Sequence, residues 1–278
     1  MKEVLNQFIP PIFREIKRRI YKNSQLYYFN RYETWEAALN ESIRLGSSYE
    51  SAYIVDQVDR ATQKVRNGEA VYEQDGVCYY QNNNNYELLA SILYANSQLK
   101  HMNVVDYGGA LGSTYFRYST ILDKINVDWT VVEQKHFVER GKMHVPEVKF
   151  RYNVDECFDQ GSQPNVLLLS SVIMYLDDPY GMLKNMLSHP FNYIIVDESA
   201  FLYGEDADDM LVLQHVPPQI YNAIYPCWLF GLNKFKQFIN NMGYEIVWEW
   251  DYRGGNIPII TKFGYQKTRE KGFLLKRK

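Results

Sequence analysis

The sequence predicts a doubly wound α/β fold, in which helices cover both faces of a mostly parallel sheet. Four short apolar runs are separated by segments with helical periodicity, and each run ends in polar or acidic residues. The runs are 104–105, 129–132, 166–169 and 193–196. Such runs are typical of strands buried on both faces of a parallel sheet, and ligands bind such sheets at the carboxyl ends of the strands. We therefore expect a ligand site where these runs end.

The first run leads into a glycine-rich turn. Asp106 closes the run, and Gly108, Gly109, Ala110 and Gly112 follow before a helical pattern begins. Glycines at a strand-to-helix turn let the backbone approach a ligand closely. The start of the helix presents unpaired amides and the positive end of its dipole. The turn therefore predicts a site for a nucleotide-like cofactor.

The spacing of the glycines indicates which cofactor to expect. A dinucleotide fingerprint reads G-x-G-x-x-G, but this chain has Ala110 and Ser113 at the second and third glycine positions. A better fit is the pattern acid-x-Gly-x-small-x-Gly, which Asp106, Gly108, Ala110 and Gly112 satisfy. This pattern resembles the first motif of Rossmann-type S-adenosylmethionine (SAM) methyltransferases.

Polar residues end the neighbouring runs as well. Glu133 follows the second run, where a carboxylate would accept the ribose hydroxyls of a nucleoside; the alternative is that it caps the helix starting near Lys135. Ser170 and Ser171 end the third run. Tyr175 follows them and either lines the pocket or packs in the core.

Longer blocks extend the resemblance to one family. The blocks D-Y-G-G-A-L-G-S-T-Y-F, W-T-V-V-E-Q, S-S-V-I-M-Y-L-D-D-P-Y and V-P-P-Q-I-Y resemble a group of SAM-dependent methyltransferases encoded among bacterial O-antigen and exopolysaccharide biosynthesis genes. The resemblance runs from about Tyr32 to the C-terminus. It implies the class I fold and SAM as cofactor, without a defined acceptor. The candidate cofactor contacts are Asp106, Gly108, Gly109, Ala110, Gly112, Glu133, Gln134, Ser170 and Ser171.

The rest of the chain is assigned around this core. Residues 1–99 are expected to form an N-terminal helical extension or cap, and residues 100–278 the Rossmann-like domain. The stretch 199–219 is interpreted as a long irregular loop, and strands over 244–250 and 272–275 are expected to close a seven-stranded sheet.

Candidate catalytic residues follow from the chemistry of methyl transfer. A hydroxyl acceptor needs a base within reach, whereas an amine acceptor need only arrive neutral. His215 is the leading base, because it lies in the long loop expected on the acceptor side, although a histidine before Val-Pro-Pro is as compatible with a packing role. Glu198 is the second candidate, and Asp197 and His136 are further ones. The aromatic residues expected to bind substrate are Tyr175, Tyr221 and Tyr225.

The composition limits the classes of binding partner that we expect. A net charge of −3 over 278 residues argues against nucleic acid, which would call for a strongly basic face. The 24 tyrosines suit sugar ligands or reflect composition bias alone. The three cysteines indicate a reducing compartment, and we therefore expect a cytoplasmic protein. Because they include no C-x-x-C pair, no zinc site is expected. The acids over 205–209 are interpreted as a solvated loop, so no metal is expected.

Membrane association is confined to one candidate segment. No apolar run reaches the roughly 18–20 residues of a membrane span. Residues 10–22 predict a basic amphipathic helix, suited to weak contact with a membrane surface or to docking on this domain or a partner subunit.

These observations together predict SAM-dependent O-methylation of a sugar or polysaccharide precursor, with a small molecule or glycan as acceptor. A nucleotide (NAD)-dependent oxidoreductase and a non-catalytic binding protein of the same fold are the alternatives. The oligomeric state is left open.

Overall fold

The computed structural model describes residues 26–45, 52–159, 163–204, 207–217, 220, 223–252, 257–261 and 264–278. The amphipathic helix predicted over 10–22 and the candidate substrate contact Tyr221 lie outside the described residues. In these ranges no helix combines the length and apolarity that crossing a membrane requires.

Seven helices and fourteen strands make up the described chain. The helices are α1 (Trp35–Arg44), α2 (Ala52–Arg66), α3 (Tyr86–Gln98), α4 (Ser113–Leu122), α5 (Lys135–His144), α6 (Pro179–Leu187) and α7 (Leu232–Asn241). The first seven strands are β1 (Tyr27–Tyr32), β2 (Tyr72–Gln74), β3 (Val77–Tyr79), β4 (Met102–Tyr107), β5 (Val127–Val132), β6 (Lys149–Arg151) and β7 (Val166–Ser170). The others are β8 (Tyr193–Leu202), β9 (Met210–Val216), β10 (Ala223–Gly231), β11 (Tyr244–Asp251), β12 (Pro258–Thr261), β13 (Gly264–Lys267) and β14 (Arg269–Arg277).

The main sheet is mixed and has twelve strands, so the predicted seven are too few. Strands β6, β5, β4, β7 and β8 are neighbours in that order and run parallel. Strand β14 continues the sheet antiparallel to β8, and β11 pairs antiparallel with β14. The four apolar runs correspond to β4, β5, β7 and β8, as the α/β prediction requires.

Five further strands extend the sheet beyond the predicted ones. Their order is β13-β12-β1-β9-β10, and β10 joins the end of β8 through Phe230 and Gly231. The loop predicted over 199–219 is therefore wrong, because β8 continues to Leu202 and β9 occupies Met210–Val216. Residues 1–99 also contain strands β1, β2 and β3 as well as helices.

Apolar cores lie on both sides of the parallel strands. One core receives Leu88, Phe116 and Phe137 from α3, α4 and α5, and the other receives Leu183 and Phe235 from α6 and α7. Helices on both faces make a doubly wound arrangement, in which the strand ends remain accessible at one edge.

The added strands also have two distinct faces. Leu211 and Leu213 of β9 pack with Ala38 of α1, whereas Val212 of the same strand and Cys227 of β10 belong to the core on the α6–α7 side. Because successive side chains of a strand point to opposite faces, this alternation fixes which β9 residues turn away from α1.

Gly141 of α5 gives a test of this packing. A Cβ at this position would overlap the ring of Phe150, which is 2 % exposed on β6. In an exposed helix, Gly→Ala stabilises by about 1 kcal/mol. We expect Gly141→Ala to destabilise instead, by about 1–3 kcal/mol, because the ring has no room to move. Urea unfolding measures the difference, and a stabilised variant would contradict the packing described.

Candidate functional site

The glycine-rich turn connects β4 to α4 in a conformation that most side chains disfavour. The φ angles are +75° at Gly108, +51° at Ala110 and +91° at Gly112. Gly112 starts α4 without a side-chain cap. The turn therefore exposes backbone at a helix N-terminus, a place suited to polar ligand groups.

Two of the glycines are required by close contacts. A Cβ on Gly108 would lie 2.5 Å from Cγ2 of Val172, and one on Gly109 would overlap the carboxylate of Asp106. The turn consequently packs directly against the segment that follows β7. The ends of β4 and β7 thus meet at the same edge of the sheet.

Glu133 faces this turn from the end of β5. The amide of Gln134 donates to Glu133 Oε2 at 2.6 Å, and the amide of Ala110 also donates to the Glu133 carboxylate. Burial raises the pKa of Glu133 to about 7, against the effect of these two hydrogen bonds. Gln134 is exposed at the start of α5. The predicted neighbours Glu133 and Ala110 are thus in direct contact.

Asp106 lies beneath the turn and is 1 % exposed. Trp129 Nε1 donates to Asp106 Oδ2 at 3.1 Å. Burial raises the pKa of Asp106 to about 7. This placement gives Asp106 a supporting role under Gly109, between β4 and β5.

The end of β7 is joined to β8. Ser170 Oγ donates to Asp197 Oδ2 at 3.4 Å, and the Ser171 amide donates to the Asp197 carbonyl at 2.9 Å. Ser171 has a φ of +50°, a conformation that costs a non-glycine residue energy. The two serines are therefore held at the edge predicted for the ligand.

Asp197 is completely buried and accepts hydrogen bonds from three elements. Besides Ser170, the donors are Asn85 Nδ2 at 2.9 Å and Trp250 Nε1 at 3.2 Å. Asn85 also caps α3, since its Oδ1 accepts from the Leu88 amide. Burial raises the pKa of Asp197. A carboxylate held this way is a structural junction rather than an accessible base.

Glu198 combines burial with backbone strain. It is 8 % exposed, and its φ is +46°. Gln74 Nε2 donates to Glu198 Oε2 at 3.1 Å, and the Tyr252 hydroxyl donates to the same carboxylate. Burial raises the pKa of Glu198, an effect opposed by these bonds and by the positive charge of Arg117. A carboxyl with a raised pKa in a strained position is suited to proton transfer.

A second carboxyl lies near Glu198. Burial, together with the negative charges of Glu198 and Asp197, raises the pKa of Glu270 to about 8. The guanidinium of Arg117 lies on the ring of Tyr72, 4.2 Å from its centroid. Glu198, Glu270 and Asp197 thus bring three carboxyl groups close enough to influence one another.

The structure separates the two leading base candidates. His215 stacks on Tyr27 with 4.7 Å between ring centroids, whereas the adjacent Gln214 accepts from the Tyr175 hydroxyl at 3.0 Å. Successive residues of β9 face opposite ways, so His215 lies on the side away from Tyr175. His136 is exposed on α5. This geometry disfavours His215 as the base.

The predicted substrate residues Tyr175 and Tyr225 are brought together. Their rings meet edge to face, with centroids 5.1 Å apart. Tyr175 lies in a short 3₁₀-helix, Ile173–Tyr175, directly after the Ser170–Ser171 end of β7. The two rings therefore pack directly against each other just beyond the end of β7.

Several residues of the site were not among those predicted. Gln74, Asn85 and Tyr252 donate hydrogen bonds to the carboxylates, and the positive charge of Arg117 acts on Glu198. Asn85 had a signal in the sequence, because an asparagine directly before the apolar pattern of a helix is a typical N-cap. The other three are brought in by tertiary packing.

Two further observations delimit the site. A cavity of about 680 Å³ is lined by His101, Asp128 and Asn165 at the amino ends of β4, β5 and β7, and no residue of the glycine turn lines it. Among the described residues, His, Cys, Asp and Glu side chains form no group of three or more arranged to hold a metal ion.

No protein-family model matches the chain, and no curated protein sequence matches it. Solved structures that resemble it include SAM-dependent methyltransferases. The N-terminal domain of EvdMO1, crystallised in the presence of S-adenosylhomocysteine (SAH) and D-fucose, is 12 % identical at a TM-score of 0.47, over 84 % of this chain and 100 % of that domain.

Two others have similar scores. The Burkholderia thailandensis 1,6-didemethyltoxoflavin-N1-methyltransferase is 12 % identical at a TM-score of 0.43, over 83 % of this chain and 91 % of that one. The glycopeptide N-methyltransferase MtfA complexed with SAM is 10 % identical at a TM-score of 0.46, over 69 % and 87 %. At such values no residue role passes from these proteins to this chain.

The buried carboxyls predict how stability depends on pH. Asp106 and Asp197 have pKa values raised above the ordinary value of about 4. Above that value the unfolded chain releases their protons while the folded protein keeps them. Stability must therefore fall as pH rises towards 7, on the order of 1 kcal/mol per pH unit for each group.

The neutral variant Asp106→Asn isolates one of these groups. Between pH 5 and pH 8 we expect its free energy of unfolding to fall less steeply than that of the wild type. The difference in slope should be roughly the contribution that one carboxyl makes to the pH dependence. Thermal or urea unfolding across that range measures the slopes. Equal slopes would mean that Asp106 is ionised throughout.

Proposed function

We propose that this chain is a SAM-dependent methyltransferase that binds SAM at the carboxyl ends of β4 and β5. The observation that carries the proposal is the contact between Glu133 and the glycine turn. Glu133 stands at the end of the strand beside β4, and its carboxylate receives the Ala110 amide. A nucleoside placed between them would find a carboxylate for its ribose and backbone amides for its polar groups.

The residues present suit SAM in shape and in charge. Glu133 would accept the ribose hydroxyls, and the turn of Gly108, Gly109, Ala110 and Gly112 would lie along the cofactor. Ser170 and Ser171 would border it from β7. Bound SAM supplies an electrophilic methyl group on a positively charged sulfonium, and the nearby carboxyls favour a cationic ligand.

The order of the strands supports the same proposal. The sheet continues from β8 to an antiparallel β14 and then to β11, and such a C-terminal strand pair is how class I methyltransferase sheets close. Ala110 and Ser113 replace two glycines of the dinucleotide fingerprint, which disfavours an NAD-dependent oxidoreductase.

The acceptor is proposed to be a hydroxyl of a sugar or polysaccharide precursor. Tyr175 and Tyr225 would contact its ring, because aromatic faces pack against the apolar side of a polyol while tyrosine hydroxyls bond its polar side. Glu198 would take the proton of the reacting hydroxyl, held in place by Gln74 and Tyr252. Alignment of acceptor and methyl donor, with exclusion of water, supplies the remaining catalysis.

The domain boundary near residue 100 and a cytoplasmic location stay predictions from the sequence.

Glu133→Gln tests the cofactor site. The amide keeps the size of the side chain but replaces one acceptor by a donor, so we expect SAM and SAH to bind at least about tenfold more weakly. Wild-type affinity should rise with pH through about 7, because only the ionised carboxylate accepts both hydroxyls. Calorimetric titration measures both effects. The matched control is Glu139→Gln on α5, and unchanged affinity in Glu133→Gln would refute the ribose contact.

Glu198→Gln tests the base. With an acceptor identified by transfer of labelled methyl groups from SAM, we expect turnover to fall by a factor of about 100 or more while SAM affinity stays unchanged. His215→Asn is the comparison variant, and its turnover should remain close to that of the wild type. The reverse result, with His215→Asn inactive and Glu198→Gln active, would exchange the two assignments.

A further inference from the structure

The hairpin of β2 and β3 crosses the carboxyl edge of the parallel strands and forms a small sheet of its own. On one side, the Ser113 hydroxyl at the start of α4 donates to the Glu73 carboxylate. On the other side, Gln74 Nε2 donates to Glu198 Oε2 in β8 at 3.1 Å. Strand β7 lies between β4 and β8. Since neighbouring strands are about 4.8 Å apart, the hairpin bridges a gap of roughly 10 Å above the end of β7.

The residues assigned to SAM determine the direction in which it would lie. Glu133, proposed for the ribose, follows β5, whereas the proposed base Glu198 is in β8, and β4 and β7 lie between these two strands. The methyl group has to face an acceptor beside Glu198, and the sulfonium that carries it joins the ribose to the amino-acid chain. The amino-acid end would therefore extend from Glu133 towards β8, into the space that the hairpin covers.

The surroundings of the hairpin offer both charges that a free amino acid requires. The guanidinium of Arg117 lies on the ring of Tyr72 in β2, and its positive charge acts on Glu198. Asp75 at the tip of the hairpin is also near Glu198, because its negative charge raises the pKa of that carboxyl. An ammonium and a carboxylate carried by one ligand would thus each find the opposite charge.

The hairpin holds its tip in a defined conformation. Asp75 and Gly76 form the two-residue turn, with φ angles of +53° and +74°, which are the left-handed values of a type I′ turn. The Gly76 amide donates to Glu73 Oε2 at 3.0 Å. The rings of Tyr72 and Tyr79 stack with 4.6 Å between their centroids. The backbone of Asp75 is therefore fixed before any ligand binds.

We propose that the β2–β3 hairpin forms the subsite for the amino-acid end of SAM, with Asp75 for its ammonium and Arg117 for its carboxylate. The assignment rests on the proposed methyltransferase function and adds residues 72–79 to the cofactor site. Because Gln74 also bonds to Glu198, the same hairpin would connect the bound cofactor to the proposed base.

Two ligands that differ only in the amino-acid end test the proposal on the full-length protein. SAH and 5′-methylthioadenosine share the nucleoside and the sulfur, but the second carries a methyl group in place of the amino-acid chain. Hydrogen exchange followed by mass spectrometry reports on each segment of the protein. We expect saturating SAH to slow the exchange of the amides over 72–79 at least about fivefold, because a bound ligand stabilises the segment that it contacts. Saturating 5′-methylthioadenosine should leave that exchange unchanged.

The variant Asp75→Asn separates charge from structure. It preserves the hairpin, because Asn-Gly is a preferred sequence for a type I′ turn. We expect this variant to bind SAH at least about fivefold more weakly than the wild type, and 5′-methylthioadenosine with unchanged affinity. A substitution that only disturbed the fold would weaken both ligands. The matched control is Asp123→Asn, at the exposed C-terminal end of α4, which should change neither affinity.

The results distinguish the hairpin assignment from the methyltransferase proposal. If both ligands bind but SAH leaves exchange over 72–79 unchanged, or if the two ligands protect the hairpin equally, the hairpin assignment is overturned while the nucleoside site at Glu133 stands. Wild-type affinity of Asp75→Asn for SAH would overturn it as well. If neither ligand binds, the methyltransferase proposal fails, and the hairpin assignment fails with it.

Discussion

Asp197 is the junction on which the candidate site depends. Its carboxylate accepts from Asn85 of the N-terminal part, Ser170 of β7 and Trp250 of β11, and so ties three separate segments to the end of β8. Removing the carboxylate would leave buried donors without partners, a loss that costs more than the bonds themselves contribute. The neighbouring Glu198 has a strained φ of +46°.

The concentration of carboxyls at this edge of the sheet links stability to function. Burial raises the pKa values of Asp106, Glu133, Asp197, Glu198 and Glu270. A raised pKa means that the folded protein without ligand destabilises the ionised form of the group. A bound cationic ligand would stabilise that form. Raised pKa values of this kind lower the stability of the fold at neutral pH, and such groups are common at functional sites.

The sequence predicts one half of this structure better than the other. The runs that become β4, β5, β7 and β8 are buried on both faces, so their composition alone identifies them, and the glycine turn and Glu133 follow from their positions at strand ends. Strand β9 is harder to predict from the sequence. Both of its faces pack against other elements, but Gln214 and His215 interrupt the apolar pattern expected of such a strand. Gln74, Arg117 and Tyr252 reach the site only through tertiary packing, which spacing along the chain does not encode. His215 shows the converse: its residue type suggests a base, but the alternation of β9 turns it towards Tyr27.

The proposed SAM site consists of the turn at Gly108 and the carboxylate of Glu133. Calorimetric titration of the wild-type protein with SAM, SAH and NAD in parallel tests it most directly. We expect micromolar binding of SAM and SAH and no binding of NAD. Binding of NAD alone would contradict it and favour the oxidoreductase, and binding of none of the three would favour a non-catalytic protein of this fold.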